Sequence, residues 1–267
     1  MNKTKIDWAT MSWNPVTGCR HGCPYCYARR TAHRFDAGCA DPDLPADGLH
    51  VLESKIKATP YPYGFEPTLH RYRLNQPERQ EEPQTVFVCS MADLFGRWVP
   101  TEWIRDVVDA CQRAPQHRYL FLTKNHARYL ELDQMALLPH AENFWYGSTV
   151  ANEDAAAAYP MPWANINTFW SMEPLLGPVD MNAAEGLPQW VILGAETGNR
   201  RDKVVPRREW VDQIAAFCAE NEIPVFYKDN LRAYFPDLPA SALPWSDQEG
   251  ATTEWAAHFM DRFRKQV

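Results

Sequence analysis

The sequence predicts an α/β fold that forms a full or partial β/α barrel, and two observations carry this prediction. Short runs rich in β-branched and aromatic residues recur along the chain, with the nearly continuous apolar character of strands buried on both faces of a parallel sheet. Apolar residues at helical spacing lie between several of these runs. Such alternation indicates βαβ units with right-handed crossovers, and six or seven units favour a partial (β/α)6-type barrel like the core of a TIM barrel.

The predicted strands each end in small, polar or turn residues. After a first strand around 13–17, they are TVFVCS (85–90), YLFLTK (119–124), FWYGSTV (144–150), NTFWSMEP (167–174), WVILGAETG (190–198) and PVFYKDN (224–230). In a barrel the polar residues at the carboxyl ends of the strands meet at one mouth. That mouth would gather Cys19, Ser90, Asp93, Thr123, Lys124, Ser148, Ser171, Glu173, Gly194, Glu196, Lys228 and Asp229.

Three helices are predicted between and after these strands. Thr101 is a plausible N-cap for a helix whose apolar stripe runs through 103–111. A second stripe covers 210–218, and Trp255, Phe259 and Phe263 mark a last amphipathic helix. We interpret the aromatic residues of these stripes as core packing.

Residues 39–84 do not fit the alternation, because they are rich in proline and lack a clear long helix or strand. A segment of this length without structure of its own is often functional or disordered. We interpret it as an insertion after the cysteine motif, either a lid over the active site or a surface excursion without a catalytic role. The whole chain, 1–267, is expected to be one domain.

Composition limits the classes of function. With 45% hydrophobic and 23% charged residues the chain can bury a large core, and a net charge of -7 argues against a protein that coats nucleic acid non-specifically. A local basic groove remains open, with candidates at 29–34, 71–79 and 200–208. No apolar run suits a signal peptide or a membrane span, so we expect a cytoplasmic protein without a membrane partner.

The clearest motif is WNPVTGCRHGCPYCYARR (13–30), which spaces Cys19, Cys23 and Cys26 as C-x3-C-x2-C. Three thiolates are one short of a closed structural zinc site, and an odd number cannot be consumed by internal disulfides. They can bind three irons of a 4Fe-4S cluster and leave the fourth iron open. The alternative is zinc with His21 as the fourth ligand.

With an aromatic residue at Tyr25, this motif resembles the C-x3-C-x-Φ-C signature of the radical S-adenosylmethionine superfamily. The resemblance implies that S-adenosylmethionine chelates the open iron and that an electron from the cluster cleaves it to a 5'-deoxyadenosyl radical. It also implies a partial β/α barrel with the cysteine loop after the first strand. Tyr25 would lie near the adenine.

Other positions are assigned by the same resemblance. SMADLFG stands where the superfamily has a glycine-rich segment that supports the amino group of the cofactor, which assigns Ser90 and Asp93 to that contact. WVILGAET approximates a pattern near the fifth strand and adds Gly194 and Glu196 as cofactor contacts. Ser148, at the end of the predicted strand 144–150, is a further candidate for a cofactor contact. The catalytic candidates are Glu173 and Lys124, whose alternative is an ion pair at the mouth, and Cys39, as a second hydrogen donor.

Nearly the whole chain resembles a phage and prophage family of three-cysteine-motif proteins, through WNPVTGC, FVCSMADLF, LTK, MEPLLGP and VILGAETG. This implies DNA modification in the host cytoplasm. The leading hypothesis is the rearrangement or isomerisation of an amino-acid-modified thymidine in DNA or in its nucleotide. The alternatives are a lesion lyase similar to spore photoproduct lyase and a non-catalytic zinc-binding module. A flavodoxin or ferredoxin is the expected electron donor.

Overall fold

The computed structural model describes residues 1–35, 48–55, 60–153, 166–184 and 186–245. The chain divides into two compact units, of which the first comprises Met1–Thr4 with Ala9–Pro139 and the second comprises Lys5–Trp8 with His140–Val267. A larger sheet of eight strands has four strands in each unit. The two units are described in turn.

The first unit carries a four-strand portion of the larger sheet and a small second sheet. In chain order its strands are β1 (Asn2–Lys3), β2 (Met11–Trp13), β3 (Val16–Thr17), β4 (His50–Leu52), β5 (Thr68–His70), β6 (Thr85–Val88) and β7 (Arg118–Thr123). The order in the larger sheet is β1-β2-β6-β7, with β1 antiparallel to β2 and the others parallel. The small sheet has the order β3-β5-β4.

Three helices pack in the same unit: α1 (Tyr27–Arg34), α2 (Thr101–Gln112) and α3 (Ala127–Gln134). The predicted apolar stripe of α2 is confirmed, since Trp103, Ile104, Val107 and Val108 are all buried. Its N-cap is Pro100 and not Thr101, which is the first helical residue. Proline suits this end of a helix because the first N–H groups have no acceptor within the helix.

The second unit contains β8 (Phe144–Thr149), β9 (Asn167–Met172), β10 (Val191–Leu193) and β11 (Val225–Tyr227), with the helices α4 (Arg208–Glu220) and α5 (Asp229–Arg232). The strands are parallel neighbours in chain order. Alternate residues of β9 and β10, including Trp170, Met172 and Leu193, pack with Val211 and Ile214 of α4 in one buried core. The six sequence runs from 85 onward each overlap a strand of the structure.

The predicted barrel is wrong. In a barrel the first parallel strand pairs with the last, but β2 has β6 on one side and the antiparallel β1 on the other. The described residues also contain only five α-helices, and the connection from β9 to β10 holds a three-residue 3-10 helix, Met181–Ala183, where a βα unit needs a full helix. The fold is a mixed α/β fold with a mostly parallel, open sheet.

Two predicted features fall partly or wholly outside the described residues. The proline-rich segment contributes β4, β5 and a short 3-10 helix, Arg71–Arg73, and is therefore partly built into the small sheet. Cys39 and the predicted C-terminal helix at Trp255, Phe259 and Phe263 lie outside the described residues. In the described part of the chain, no helix is both long and apolar enough to cross a membrane.

Candidate functional site

The three cysteines lie in a loop that joins β3 to α1, which we call the cysteine loop (residues 18–26). Gly18 opens it with a positive φ of 87° and donates its N–H to Met91 O at 2.9 Å, while the N–H of Cys19 reaches Phe65 O at 3.2 Å. Cys26 closes it as the N-cap of α1, because its Sγ accepts the N–H of Arg29 at 3.3 Å. Hydrogen bonds at both ends therefore fix the loop.

All three thiols are free and partly exposed, which distinguishes them from the buried Cys89, Cys111 and Cys218. The pKa of the Cys19 thiol is raised to about 12, mainly by burial and also by the charges of Asp93, Cys23 and Cys26, while a hydrogen bond from the backbone of His21 acts in the opposite direction. Cys23 and Cys26 are therefore close enough to Cys19 for their charges to act on its thiol. A bound metal cation reverses this effect, because it deprotonates the thiols that coordinate it.

Asp93 ties the cysteine loop to the end of β7. Its Oδ2 accepts a hydrogen bond from the Lys124 N–H at 2.9 Å and lies 2.7 Å from His21 Nε2. Its Oδ1 accepts the Thr123 hydroxyl at 2.7 Å and the Phe95 N–H at 3.0 Å. Asp93 is buried, so these four partners fill the acceptor capacity of its carboxylate.

Lys124 brings a cation to the same place. Its Nζ lies 5.6 Å from the centroid of the Tyr25 ring, inside the range of a cation–π contact. Burial lowers the pKa of Lys124, and the negative charges of Cys23, Asp93, Cys19 and Cys26 act in the opposite direction. The ammonium is therefore close enough to the three thiols for their charges to act on it.

Ser90 and Arg29 support the loop from its sides. The Ser90 hydroxyl donates to Asn14 Oδ1 at 3.2 Å, and the Ser90 carbonyl accepts the Tyr27 hydroxyl at 2.7 Å. The Arg29 guanidinium donates to the Cys19 carbonyl at 3.1 Å and lies 5.2 Å from the Phe65 ring centroid. Ser90 is thus near the loop as predicted, but its side chain holds Asn14.

In the second unit, Glu173 forms an ion pair with Lys228, a partner that the sequence analysis did not assign to it. Lys228 Nζ donates to Glu173 Oε2 at 2.6 Å, and the Trp8 indole Nε1 donates to Oε1 at 2.8 Å. Gly194 lies between them, since a Cβ there would stand 3.0 Å from Lys228 Cδ and 3.1 Å from Glu173 Cγ. Trp8 is a partner that no local sequence pattern indicated.

Ser148 and Glu196 are not brought to this ion pair. Ser148 is fully buried and is registered with Trp170, which places it on the face of the sheet opposite Glu173. Glu196 accepts two hydrogen bonds from the Arg200 guanidinium, both at 2.8 Å. This bidentate pair lowers the pKa of Glu196 and gives its carboxylate an internal partner.

Several arginines that the sequence proposed for a basic groove are engaged in contacts within the protein. Arg71 pairs with Glu53 at 2.6 Å, Arg73 donates to the Asn14 carbonyl at 2.8 Å, and Arg200 is held by Glu196. By contrast, α1 has the sequence YARRTAHR, without an acidic residue, and exposes Arg30 and Arg34 directly after Cys26. Two exposed arginines therefore lie on the helix that directly follows the cysteine loop.

Fold and site together define a mixed α/β protein with a three-thiol loop beside a parallel sheet edge. Residues 3–236 match the model of a family described as protein of unknown function (DUF5131), and the chain belongs to that family. No curated protein matches the chain. No solved structure matches it either.

Proposed function

We propose that the chain is a radical S-adenosylmethionine enzyme that holds a 4Fe-4S cluster at Cys19, Cys23 and Cys26. The observation that carries the proposal is the set of three free, partly exposed thiols in one hydrogen-bonded loop, with the partly buried Lys124 near enough for their charges to act on its ammonium. Three thiolates suit such a cluster and leave one iron open. In the described part of the chain no three His, Cys, Asp or Glu side chains are arranged around a single metal ion. A cluster binds each thiolate at a different iron and therefore needs a wider arrangement.

When bound, the reduced cluster would supply one electron to the sulfonium of S-adenosylmethionine, whose C–S bond would break to give methionine and a 5'-deoxyadenosyl radical able to take a hydrogen atom from the substrate. The electron would come from a flavodoxin or ferredoxin. Lys124 would bind the cofactor carboxylate, since its ammonium has no hydrogen-bond acceptor among the described residues. Tyr25 would present its ring to the adenine and hold Lys124 by the cation–π contact. Asp93, whose acceptor capacity is filled, would position the loop and would not bind the cofactor amine.

The zinc alternative requires His21 as the fourth ligand. Its Nε2 lies 2.7 Å from Asp93 Oδ2, and its ring packs edge-on against Trp98 with centroids 4.8 Å apart. These contacts give His21 a role that needs no metal. They favour the open-iron proposal over a Cys3His zinc module.

Iron loading tests the proposal directly. Protein purified or reconstituted without oxygen should be brown and contain about four irons per chain. After reduction it should cleave S-adenosylmethionine to 5'-deoxyadenosine. Alanine at Cys19, Cys23 or Cys26 should remove the iron and the cleavage while the circular dichroism spectrum is retained. Cys218→Ala, in the core of the second unit, is the matched control and should keep both. A colourless protein with one zinc per chain would overturn the proposal.

For the substrate we propose a modified nucleobase in DNA or in its nucleotide, rearranged or isomerised after hydrogen abstraction. The exposed face of α1, which carries no acidic residue, supports a substrate that bears phosphate, because Arg30 and Arg34 follow the loop and phosphate contacts dominate the binding of DNA. A lesion lyase would use the same contacts and differ in the product.

Salt-dependent binding tests this substrate class. A fluorescent single-stranded DNA should bind the full chain at low salt, and Arg30→Gln with Arg34→Gln should weaken binding and flatten its salt dependence by about one phosphate contact per arginine. Arg105→Gln, on the exposed side of α2, should change neither. Absence of DNA binding at low salt, together with turnover of a free small molecule, would remove the polymer from the proposal.

A further inference from the structure

Glu173, Gly194 and Lys228 stand in a row across three parallel strands of the second unit. Met172, Leu193 and Tyr227 are registered partners in β9, β10 and β11, and the three residues of the row follow them by one position each. They therefore share one face of the sheet edge. We call them the charged row.

Gly194 makes the charged row possible. Any side chain there would press on Lys228 Cδ at 3.0 Å and on Glu173 Cγ at 3.1 Å. The missing side chain lets a carboxylate and an ammonium from strands that are not neighbours meet above β10. The two side chains are only 18% and 15% exposed, so water screens them less than a surface pair.

Both charged residues of the row can make further hydrogen bonds, Lys228 as a donor and Glu173 as an acceptor. An ammonium has three N–H donors, and in the described part of the chain Lys228 uses one, on Glu173. A carboxylate offers about four lone-pair positions, and Glu173 uses two, for Lys228 and Trp8. A ligand that carries an anion and a cation close together can bind to both residues without breaking their ion pair.

A second observation points to a ligand on the same face. Ser171 lies two residues before Glu173 on β9, is fully buried, and its hydroxyl has no hydrogen-bond partner. Leaving a buried hydroxyl unsatisfied costs free energy, which a ligand acceptor or donor would recover. The aromatic rings of Trp8, Phe169 and Trp190 form an apolar wall beside it, with centroids 5.5 to 6.3 Å apart.

We propose that the charged row binds the zwitterion of an α-amino acid, with the ligand carboxylate on Lys228 and the ligand ammonium on Glu173. This names the amino-acid part of the substrate, free or attached to a larger molecule. The statement that the bound amino acid is part of the substrate rests on the proposed function, whereas the binding of the amino acid to the charged row does not. A purely structural ion pair that fastens Trp8 to the strand ends predicts no such binding.

The test compares three small probes on the full-length chain by saturation-transfer NMR. L-alanine carries both charges, whereas propionate lacks its ammonium and ethylamine lacks its carboxylate. L-alanine should bind at least tenfold more tightly than either. Because this comparison needs no variant and no cluster, it stays decisive if a substitution fails to fold or if iron is never found.

Variants then locate the site. Lys228→Met and Glu173→Gln should each weaken L-alanine binding tenfold or more, and Lys228→Arg should restore part of it. Arg208→Met, which removes an exposed ion pair with Asp237 in the same unit, should leave binding unchanged. Equal binding of all three probes, or L-alanine binding unaffected by Lys228→Met, would overturn the proposal.

A last measurement distinguishes binding of an amino-acid substrate from binding of the cofactor, because S-adenosylmethionine also carries an α-amino-acid group. In iron-loaded protein, Lys228→Met should retain the affinity for S-adenosylmethionine while it loses L-alanine. Loss of both would assign the charged row to the cofactor and overturn the substrate assignment. Failure of iron loading with intact L-alanine binding would reject the proposed function and leave the zwitterion site standing.

Discussion

Asp93 shows how one side chain can organise a site without reacting in it. Its two oxygens collect two backbone N–H groups, a hydroxyl and an imidazole from three parts of the first unit. A buried carboxylate costs free energy unless such donors compensate it. The same bonds hold the cysteine loop against the end of β7, so the stability of the loop and the position of the thiols are linked.

Asp93→Asn should therefore loosen the loop. One amide oxygen can serve two of the four donors, but the amide nitrogen would then face the other two, and a donor would meet the Lys124 or Phe95 N–H. We expect the free energy of unfolding to fall by roughly 2–3 kcal/mol and the iron content to decrease. Urea denaturation and iron analysis measure the two effects. Asp109→Asn, on the exposed face of α2, is the control, and an equal change in both variants would contradict the role of Asp93.

At this scale the sequence located residues better than it assigned their roles. The spacing of the cysteines singled out their loop, and Asp93 and Lys124 were named as candidates because they follow predicted strands. The sequence could not show that Asp93 is saturated, because its partners lie up to 72 positions away. Trp8 was missed for the same reason, since Glu173 is 165 positions from it.

Among the elements, the strands could be predicted from the sequence, but whether their sheet closes into a barrel could not. A strand buried on both faces leaves a continuous apolar run, and each such run from β6 to β11 was recognised. Whether the edges of a sheet meet depends on pairing between distant strands, and here the two-residue β1 occupies the free side of β2. Strands of open and closed sheets have the same hydrophobic pattern, so the pattern could not distinguish an open sheet from a barrel.

The passage from β3 into the cysteine loop depends on a close crossing of two chain segments at Gly18. Its φ is 87°, and a Cβ there would lie 2.2 Å from the Glu66 carbonyl oxygen, which belongs to the backbone and cannot rotate away. Gly18→Ala should cost roughly 2–4 kcal/mol of unfolding free energy, from left-handed strain plus displacement of the 66–67 segment, and should lower iron content.

Gly22 supplies a matched control within the same loop. Its φ is 70°, but nothing lies within 4 Å of the position that a Cβ would take, so Gly22→Ala should cost only the left-handed strain, about 1–2 kcal/mol. The difference between the two variants in urea denaturation isolates the contribution of the close crossing. Equal losses would show that backbone strain alone accounts for the effect at Gly18.

For the whole molecule, two opposite effects of acid can be weighed. The net charge of -7 means that protonation first reduces self-repulsion, which favours the folded state. Buried neutral histidines act against this. Burial, followed by the charge of Arg73, lowers the pKa of His70 to about 3, and burial lowers the pKa of His117. His117 Nδ1 accepts the Gln84 N–H at 3.2 Å and Nε2 donates to Pro77 O at 3.0 Å, which requires the neutral ring.

The histidines should dominate, and the sign follows from proton uptake. Below pH about 6.5 the unfolded chain protonates both rings more readily than the folded chain does, so unfolding binds protons and the free energy of unfolding falls as the pH drops below about 6.5, for His70 down to about 3. Each histidine contributes at most about 1.4 kcal/mol per pH unit in that window. Urea denaturation at pH 7.5, 6.0 and 5.0 measures the slope, above the range in which carboxylates titrate. His117→Gln should reduce it, because an amide can keep one acceptor and one donor without titrating; a rise in stability on acidification would show instead that relief of charge repulsion is the larger effect.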